Sequence, residues 1–389
     1  MGRADKIVVA AACVVIAAVG ILAAAVQQNR LKNIEKDSSA VATMASRVKS
    51  LEASSKIEQK NLASENFYQK IRTGRSVNVL IIGDELIYNS KTTDEKGWAG
   101  LVANDLNKTY KSTFNFEHTK HYTSDVLQGL VDYNLKYTED KKQGINSYDS
   151  IIVCFGWHDQ NSLSIRDFHM IYDNLLAKLM KENPKADIIL VLENTIKGDK
   201  DNGYTVDIKR LADYYGLDLI NMSDAFANSG KSTDELMKDN YPTDEGYSLY
   251  SSEISKLIKK NIKANKTINY PKKALCFSDS SSISDMDLLT EGQKTGFKEQ
   301  DGTFISSVSG DNITFDISGT IAYVAYNATA GGSFKVYLDN MYVGQFSEDK
   351  GSDFSTQLLN DFMTNGKHKI KIVTQKAPVT IYGVIANKG

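Results

Sequence analysis

The sequence predicts a three-layer α/β sandwich with a parallel sheet, followed by an all-β sandwich, behind a transmembrane helix and a helical stalk. Three observations carry that expectation. Strand-like and helix-like stretches alternate between residues 75 and about 263, only short strands recur after residue 274, and the amino terminus holds an unbroken apolar run. A chain of 389 residues has room for two such domains.

Residues 7–26, IVVAAACVVIAAVGILAAAV, are 20 apolar residues without a charge. As a helix they would span about 30 Å, the hydrocarbon thickness of a bilayer. Arg3 and Lys6 precede the run. Residues 1–26 therefore read as a signal-anchor helix, and the chain as a single-pass protein of the cell membrane with its bulk outside the cytoplasm. A cleaved signal peptide is the alternative, because Ala23-Ala24-Ala25 offers a cleavage site. Residues 27–73 are polar and almost free of helix breakers, and Val41, Met44, Val48 and Leu51 keep a helical spacing. They read as a helical stalk with a weak capacity for self-association.

Between residues 75 and 265, strands are expected at 77–82, 112–117, 150–155, 187–192 and 217–221. The runs SIIVCF and DIILVL are apolar on both faces, as strands covered from both sides must be. Ile165, Phe168, Tyr172, Leu175 and Leu179 make one helical stripe, and Tyr247, Tyr250, Ile254, Leu257 and Ile258 another. A βαβα order places a ligand site at the carboxyl ends of the strands. Residues 274–389 hold TFISSV, NITFDI, TIAYVAY, SFKVYLD, MYVGQF, HKIKIVT and VTIYGVIA between turn signals, with one possible helix at 357–363. Such spacing means a β-sandwich or jelly roll.

Lys and Arg number 46 against 48 Asp and Glu, so no basic field invites nucleic acid. Three scattered cysteines form neither a disulfide framework nor a metal spacing; Cys13 and Cys154 read as small buried hydrophobes. Glu117, His118 and His121 lack a fourth ligand and read as solvated residues, so neither metal nor cofactor is expected.

The strings IIGDELI, Gly97-Trp98-Ala99-Gly100-Leu101, YDSIIVCFGWHDQ and NYPTDEGYSLYSSEI resemble, in order and spacing, the motif blocks of the SGNH (GDSL-like) hydrolases. The resemblance covers about half the chain. It implies an esterase fold whose serine follows Gly-Asp, whose oxyanion hole draws on a glycine and an asparagine, and whose acid and base precede the last helix. In this sequence those positions fall on Glu85, Lys120, His158, Lys238 and Tyr241. A carboxylate at 85 would repel an oxyanion, and a phenol with a pKa of about 10 is no general base at neutral pH. Serine, base and orienting acid act as a unit, so the resemblance implies a pseudoenzyme.

Gly83-Asp84 then serves the turn, its aspartate capping nearby N–H groups. Asp84, Glu85, Trp157, His158, Asp159 and Tyr241 are the candidate binding residues, with Trp157 and Tyr241 at the pocket mouth suited to sugars. Glu85 and Asp159 could instead form a glycosidase-like carboxylate pair. The string SFKVYLDNMYVGQF, with NGKHKIKIV and TIYGVIA, is similar to galactose-binding-like jelly rolls. The resemblances together imply an exported carbohydrate- or envelope-binding protein, with polysaccharide or cell-wall glycan as partner. An O-acyl esterase or acyltransferase rebuilt on Glu85 or His158, and a scaffold assembling through the stalk, are the alternatives.

Residues 27–389 should be accessible from outside intact cells. An impermeant reagent should label an introduced surface cysteine there, whereas amino-terminal sequencing that begins at Val26 would show a cleaved signal.

Overall fold

The structure, a computed structural model, describes residues 49, 65–84, 86, 97–121, 125–145, 147–193, 202–239, 241–270, 284–328, 331–347, 354–361 and 363–388. The apolar run at 7–26, the stalk up to residue 64 apart from Lys49, and Glu85 lie outside them. Among the described residues no helix is long and apolar enough to cross a membrane.

The first half alternates α1 (Phe67–Arg72), β1 (Val77–Gly83), α2 (Trp98–Tyr110), β2 (Phe114–His118), α3 (Val126–Gln143), β3 (Ser150–Cys154), α4 (Asp159–Ser162), α5 (Ile165–Glu182), β4 (Asp187–Leu192), α6 (Gly203–Tyr215) and β5 (Asp218–Asn221). After β5 come α7 (Met222–Asn228), α8 (Thr233–Leu236), a hairpin of β6 (Met237–Lys238) and β7 (Tyr241–Pro242), and α9 (Asp244–Ala264). The sheet runs β2-β1-β3-β4-β5, parallel throughout. β3 shows why its sequence is apolar at every position. Ile151 and Val153 enter the core beneath α3, α5 and α6, while Ile152 and Cys154 enter the core beneath α1, α2 and α9. Alternation of side chains along a strand makes both faces buried.

Two expectations for this half need correction. The last part of the expected stalk, from Glu65 to residue 73, contains α1, whose Phe67, Tyr68 and Ile71 are buried in the α/β core. Asn66 caps α1, and its side chain also donates to the Lys266 carbonyl at 2.8 Å. Tyr68 bonds Asp187, and Lys266 Nζ reaches Asp187 at 3.0 Å and Asp218 at 2.7 Å. This polar cluster pins α1 and the end of α9 to the amino edge of the sheet. Ile165, expected in the buried stripe of α5, is 50% exposed because it opens the helix beyond the sheet.

Among the described residues the second half contains strands and no helix: β8 (Ser284–Leu289), β9 (Gln293–Thr295), β10 (Lys298–Gln300), β11 (Thr303–Ser306), β12 (Asn312–Ser318), β13 (Ala322–Asn327), β14 (Ser333–Leu338), β15 (Met341–Ser347), β16 (Ser355–Asn360), β17 (Lys367–Lys376) and β18 (Val379–Lys388). They form two sheets, β10-β11-β18-β13-β16 with β8 on β18, and β15-β14-β17-β12-β9. Phe304, Phe315, Phe334, Ile370 and Ile372 fill the space between. The helix expected at 357–363 is instead largely β16, paired with β13. Leu358 packs against the core shared with the first domain and Leu359 enters the sandwich core, a two-residue period that a helix cannot deliver.

The two domains share a core. Met286, Ile321, Tyr323, Ala325, Phe354, Tyr382 and Ile385 belong to the same buried cluster as α3 and α5. His121 stacks on Phe354 with ring centroids 5.0 Å apart, and Tyr382 meets Phe354 at 4.8 Å. Lys178 Nζ of α5 pairs with Asp287 of β8 at 3.1 Å.

Sharing a core couples the domains. In a urea melt both should unfold in one transition, and Phe354→Ala should cost about 3 kcal/mol, as for a buried ring. Two separate transitions in the parent would show that the shared cluster does not couple them.

Candidate functional site

Asp84 continues β1 by one residue and is wholly buried. Its N–H donates to the Cys154 carbonyl at 3.2 Å, and its Oδ1 accepts from the Leu86 N–H at 2.9 Å. The aspartate caps the turn, as the Gly-Asp pair leads one to expect. Tyr247 donates its hydroxyl to the Leu86 carbonyl at 2.8 Å, which ties the turn to α9.

Beyond β3, Gly156 takes φ +129, a conformation that favours glycine, and an added Cβ would meet Ile208 Cδ1 at 2.9 Å. Asp159 accepts from the Gly156 N–H at 2.9 Å and from the Val126 N–H at 2.8 Å. One buried carboxylate thereby fastens the loop after β3 to the first turn of α3. Between its two anchors the loop presents Trp157 and His158, both half-buried, with ring centroids 3.9 Å apart.

Tyr241 arrives from the other side of the site. It stands on β7 directly across from Lys238 on β6. The hairpin rests on α9 at Gly246, where an added Cβ would lie 2.3 Å from the Leu236 carbonyl oxygen. Thr243 caps α9 by accepting from the Gly246 N–H at 3.2 Å. Tyr241 meets Trp157 edge to face, ring centroids 6.5 Å apart.

The structure thus brings Trp157, His158 and Tyr241 together at the carboxyl edge of the sheet, where Asp84 and Asp159 end β1 and follow β3. Lys238 accompanies Tyr241 but is exposed. Lys120 takes no part in this aromatic cluster. It is exposed beyond β2 and lines, with His121 and Tyr382, a groove of about 760 Å³ between the two domains. Glu117 pairs with Lys136 at 2.8 Å and His121 with Asp132 at 2.6 Å.

Sequence reasoning missed two residues. Glu193, the first residue after β4, is 3% exposed. Burial pushes its carboxyl well above the usual carboxylate range, and the charge of Asp84 adds to this. Asp125 caps α3 by accepting from the Gln128 N–H at 2.9 Å. Burial raises its carboxyl, opposed by its hydrogen bonds and by the charge of His158. Asp159 is likewise raised by burial, then by the charge of Asp125. The signal for Glu193 is its place, a carboxylate directly after the apolar run of β4, but no motif block marks it. Asp125 sits in a capping position that gives no such signal.

Chemically, these groups form a set of protonation-prone buried acids beneath an aromatic mouth. The Cys154 thiol is pushed well up by burial and the Glu193 charge, which keeps it a thiol. Tyr250 and Tyr172 are held up in the same way, burial first and neighbouring acids after.

No family model matches the chain, and no curated protein matches it. Among solved structures, it is similar to a two-domain esterase active on acetylated mannans and co-crystallized with mannopentaose. Identity is 17%, the match covers 82% of this chain and 92% of that one, and the TM-score is 0.64. A second structure of a two-domain esterase active on acetylated mannans matches over 82% and 93%, again at 17% identity and a TM-score of 0.64. A psychrotrophic esterase from Pseudoalteromonas sp. is 16% identical, with 49% of this chain and 99% of that one covered, at a TM-score of 0.37. The chain has an α/β domain followed by a second, β-sandwich domain. That overall fold is similar to the fold of the two-domain esterase active on acetylated mannans.

Glu193 gives the site a pH signature. Its folded pKa lies above its unfolded value, so the folded state binds the extra proton and stability falls as pH rises above the ordinary carboxylate range. Glu193→Gln removes that linkage. Denaturant melts between pH 5 and 8 should show the variant losing less stability than the parent, whereas parallel curves would mean Glu193 ionises normally.

Proposed function

We propose that this chain is a catalytically inactive SGNH-like protein, anchored in a membrane with its bulk outside the cytoplasm, that binds carbohydrate or another envelope component. The observation that carries the reading is the cross-strand pair of Lys238 and Tyr241. It occupies the hairpin before the last helix, where the family resemblance puts an orienting acid and a base. An ammonium repels the imidazolium that an acid would stabilise, and a phenol does not accept a serine proton at neutral pH. Glu85 at the nucleophile position removes the third member of the unit.

The binding half of the reading rests on the Trp157 and Tyr241 rings at the mouth of the site, with polar groups beside them. It draws further support from the fold shared with an esterase co-crystallized with mannopentaose. Anchoring rests on the 20-residue apolar run. The rebuilt-esterase reading is favoured by a single observation. His158 lies within the electrostatic reach of Asp125, so an imidazole and a carboxylate do occur together.

The full chain, incubated with p-nitrophenyl acetate and with an acetylated polysaccharide, should give no turnover above the uncatalysed rate. On a glycan array it should bind, and Trp157→Ala should weaken that binding about tenfold, the loss expected of one ring–sugar contact. Turnover that His158→Ala abolishes would replace this reading with the esterase.

A further inference from the structure

The sandwich uses its two sheets differently. The sheet containing β13 and β18 packs on α3 and α5 through Tyr323, Ala325 and Ile385. The outer face of the other sheet, β15-β14-β17-β12-β9, is covered by no described residue, and its side chains are exposed or half-buried. Strand register gives this face an order. Tyr342 stands opposite Tyr337, Tyr337 opposite Lys371, Lys371 opposite Thr314, and Thr314 opposite Gln293. One row therefore crosses all five strands.

At one end of the row lies an aromatic pair. The Tyr337 and Tyr342 rings are 5.8 Å apart at 60°, and Tyr342 is 57% exposed on an edge strand. The rest of the face is basic. Lys335 lies on β14, and Lys367, Lys369 and Lys371 recur at every second position of β17, so all four point outward. On these three central strands Asp316 is the acidic residue of that face, and it is engaged by Lys369 at 3.1 Å.

We propose that this face binds an acidic polysaccharide. Exposed tyrosine rings suit the apolar faces of sugars, and each carries a hydroxyl for their edges. The lysine rows supply complementary charge for carboxylates along the chain. Neighbouring strands are about 4.8 Å apart, close to the length of one unit of an extended pyranose chain, so a polymer laid along the row meets a new strand with each sugar. Thr314 and Gln293 continue the row with neutral hydrogen-bonding groups. The surface lies on the sheet turned away from α3 and α5, so it is distinct from the pocket at Trp157. It deepens the carbohydrate-binding reading by naming a second surface and an acidic class of ligand.

The full chain, in detergent, should bind polygalacturonate more tightly than uncharged mannan, and raising salt from about 0.05 to about 0.5 M should weaken that binding at least tenfold. The double variants Tyr337→Ala/Tyr342→Ala and Lys335→Glu/Lys371→Glu should each weaken it by a similar factor while keeping the parent's melting temperature. Trp157→Ala should leave it unchanged. Three results would overturn the proposal: no binding to polygalacturonate, loss in Trp157→Ala with both double variants unaffected, or polyphosphate bound equally well by the parent and the tyrosine variant. The second would leave the pocket reading standing. Loss of glycan-array binding in Trp157→Ala without loss here would separate the two sites.

Discussion

The carboxyl edge of the sheet depends on one buried carboxylate. Asp159 holds two backbone N–H groups from different segments, one in the loop after β3 and one at the start of α3. Buried donors left without acceptors cost about 1–3 kcal/mol each, so the loop and the helix are fixed together or not at all. Trp157 and His158 sit inside that fastening, and their position over the strand ends follows from it. Asp84 repeats the device on β1, spending its own N–H on Cys154 and its carboxylate on Leu86. The two aspartates that a hydrolase motif would share with this chain therefore have architectural work to do. They can persist when the reacting groups beside them do not.

That division explains what could be read from the amino acids alone. Strands buried on both faces announce themselves through unbroken apolar runs, and β4 was placed to the residue at Asp187–Leu192. The start of α9 was legible from the segment NYPTDEGY, in which Gly246 lets the Leu236 carbonyl approach. β16 was not, because Gln357–Met363 mixes apolar and polar residues without a clear period. Its strand character comes from pairing with β13 and from a second core on its far side. α1 was absorbed into the stalk for a similar reason. Its three buried residues, Phe67, Tyr68 and Ile71, continue a helical pattern, and nothing local marks where a solvated helix becomes a packed one.

At the candidate site, the sequence pointed to Trp157, His158 and Tyr241, which the structure brings together, since each falls at a recognisable offset from a motif. Lys120 carries no such marker, and the structure sets it in the groove between the domains. The acids Asp125 and Glu193 were invisible as a group, since their character arises from burial and from one another. A carboxylate in a sequence looks the same whether it is solvated or shut away. Only the burial of these acids in the fold, with Asp125 4% and Glu193 3% exposed, shows that they are the latter.

The polar cluster at the amino edge has a mechanical meaning. Glu65 and Asn66 lead into α1 beside an ion pair of Glu65 with Arg75 at 2.8 Å and the Asn66 bond to the Lys266 carbonyl. Any tension carried by the preceding segment reaches α1 first. It is then passed through Tyr68 to Asp187 and through Lys266 to both Asp187 and Asp218, at the starts of β4 and β5. The load is thus divided between two strands and the last helix and bypasses the short connection from α1 to β1. A domain tethered by that end can be pulled without its central strand being the first part to peel away.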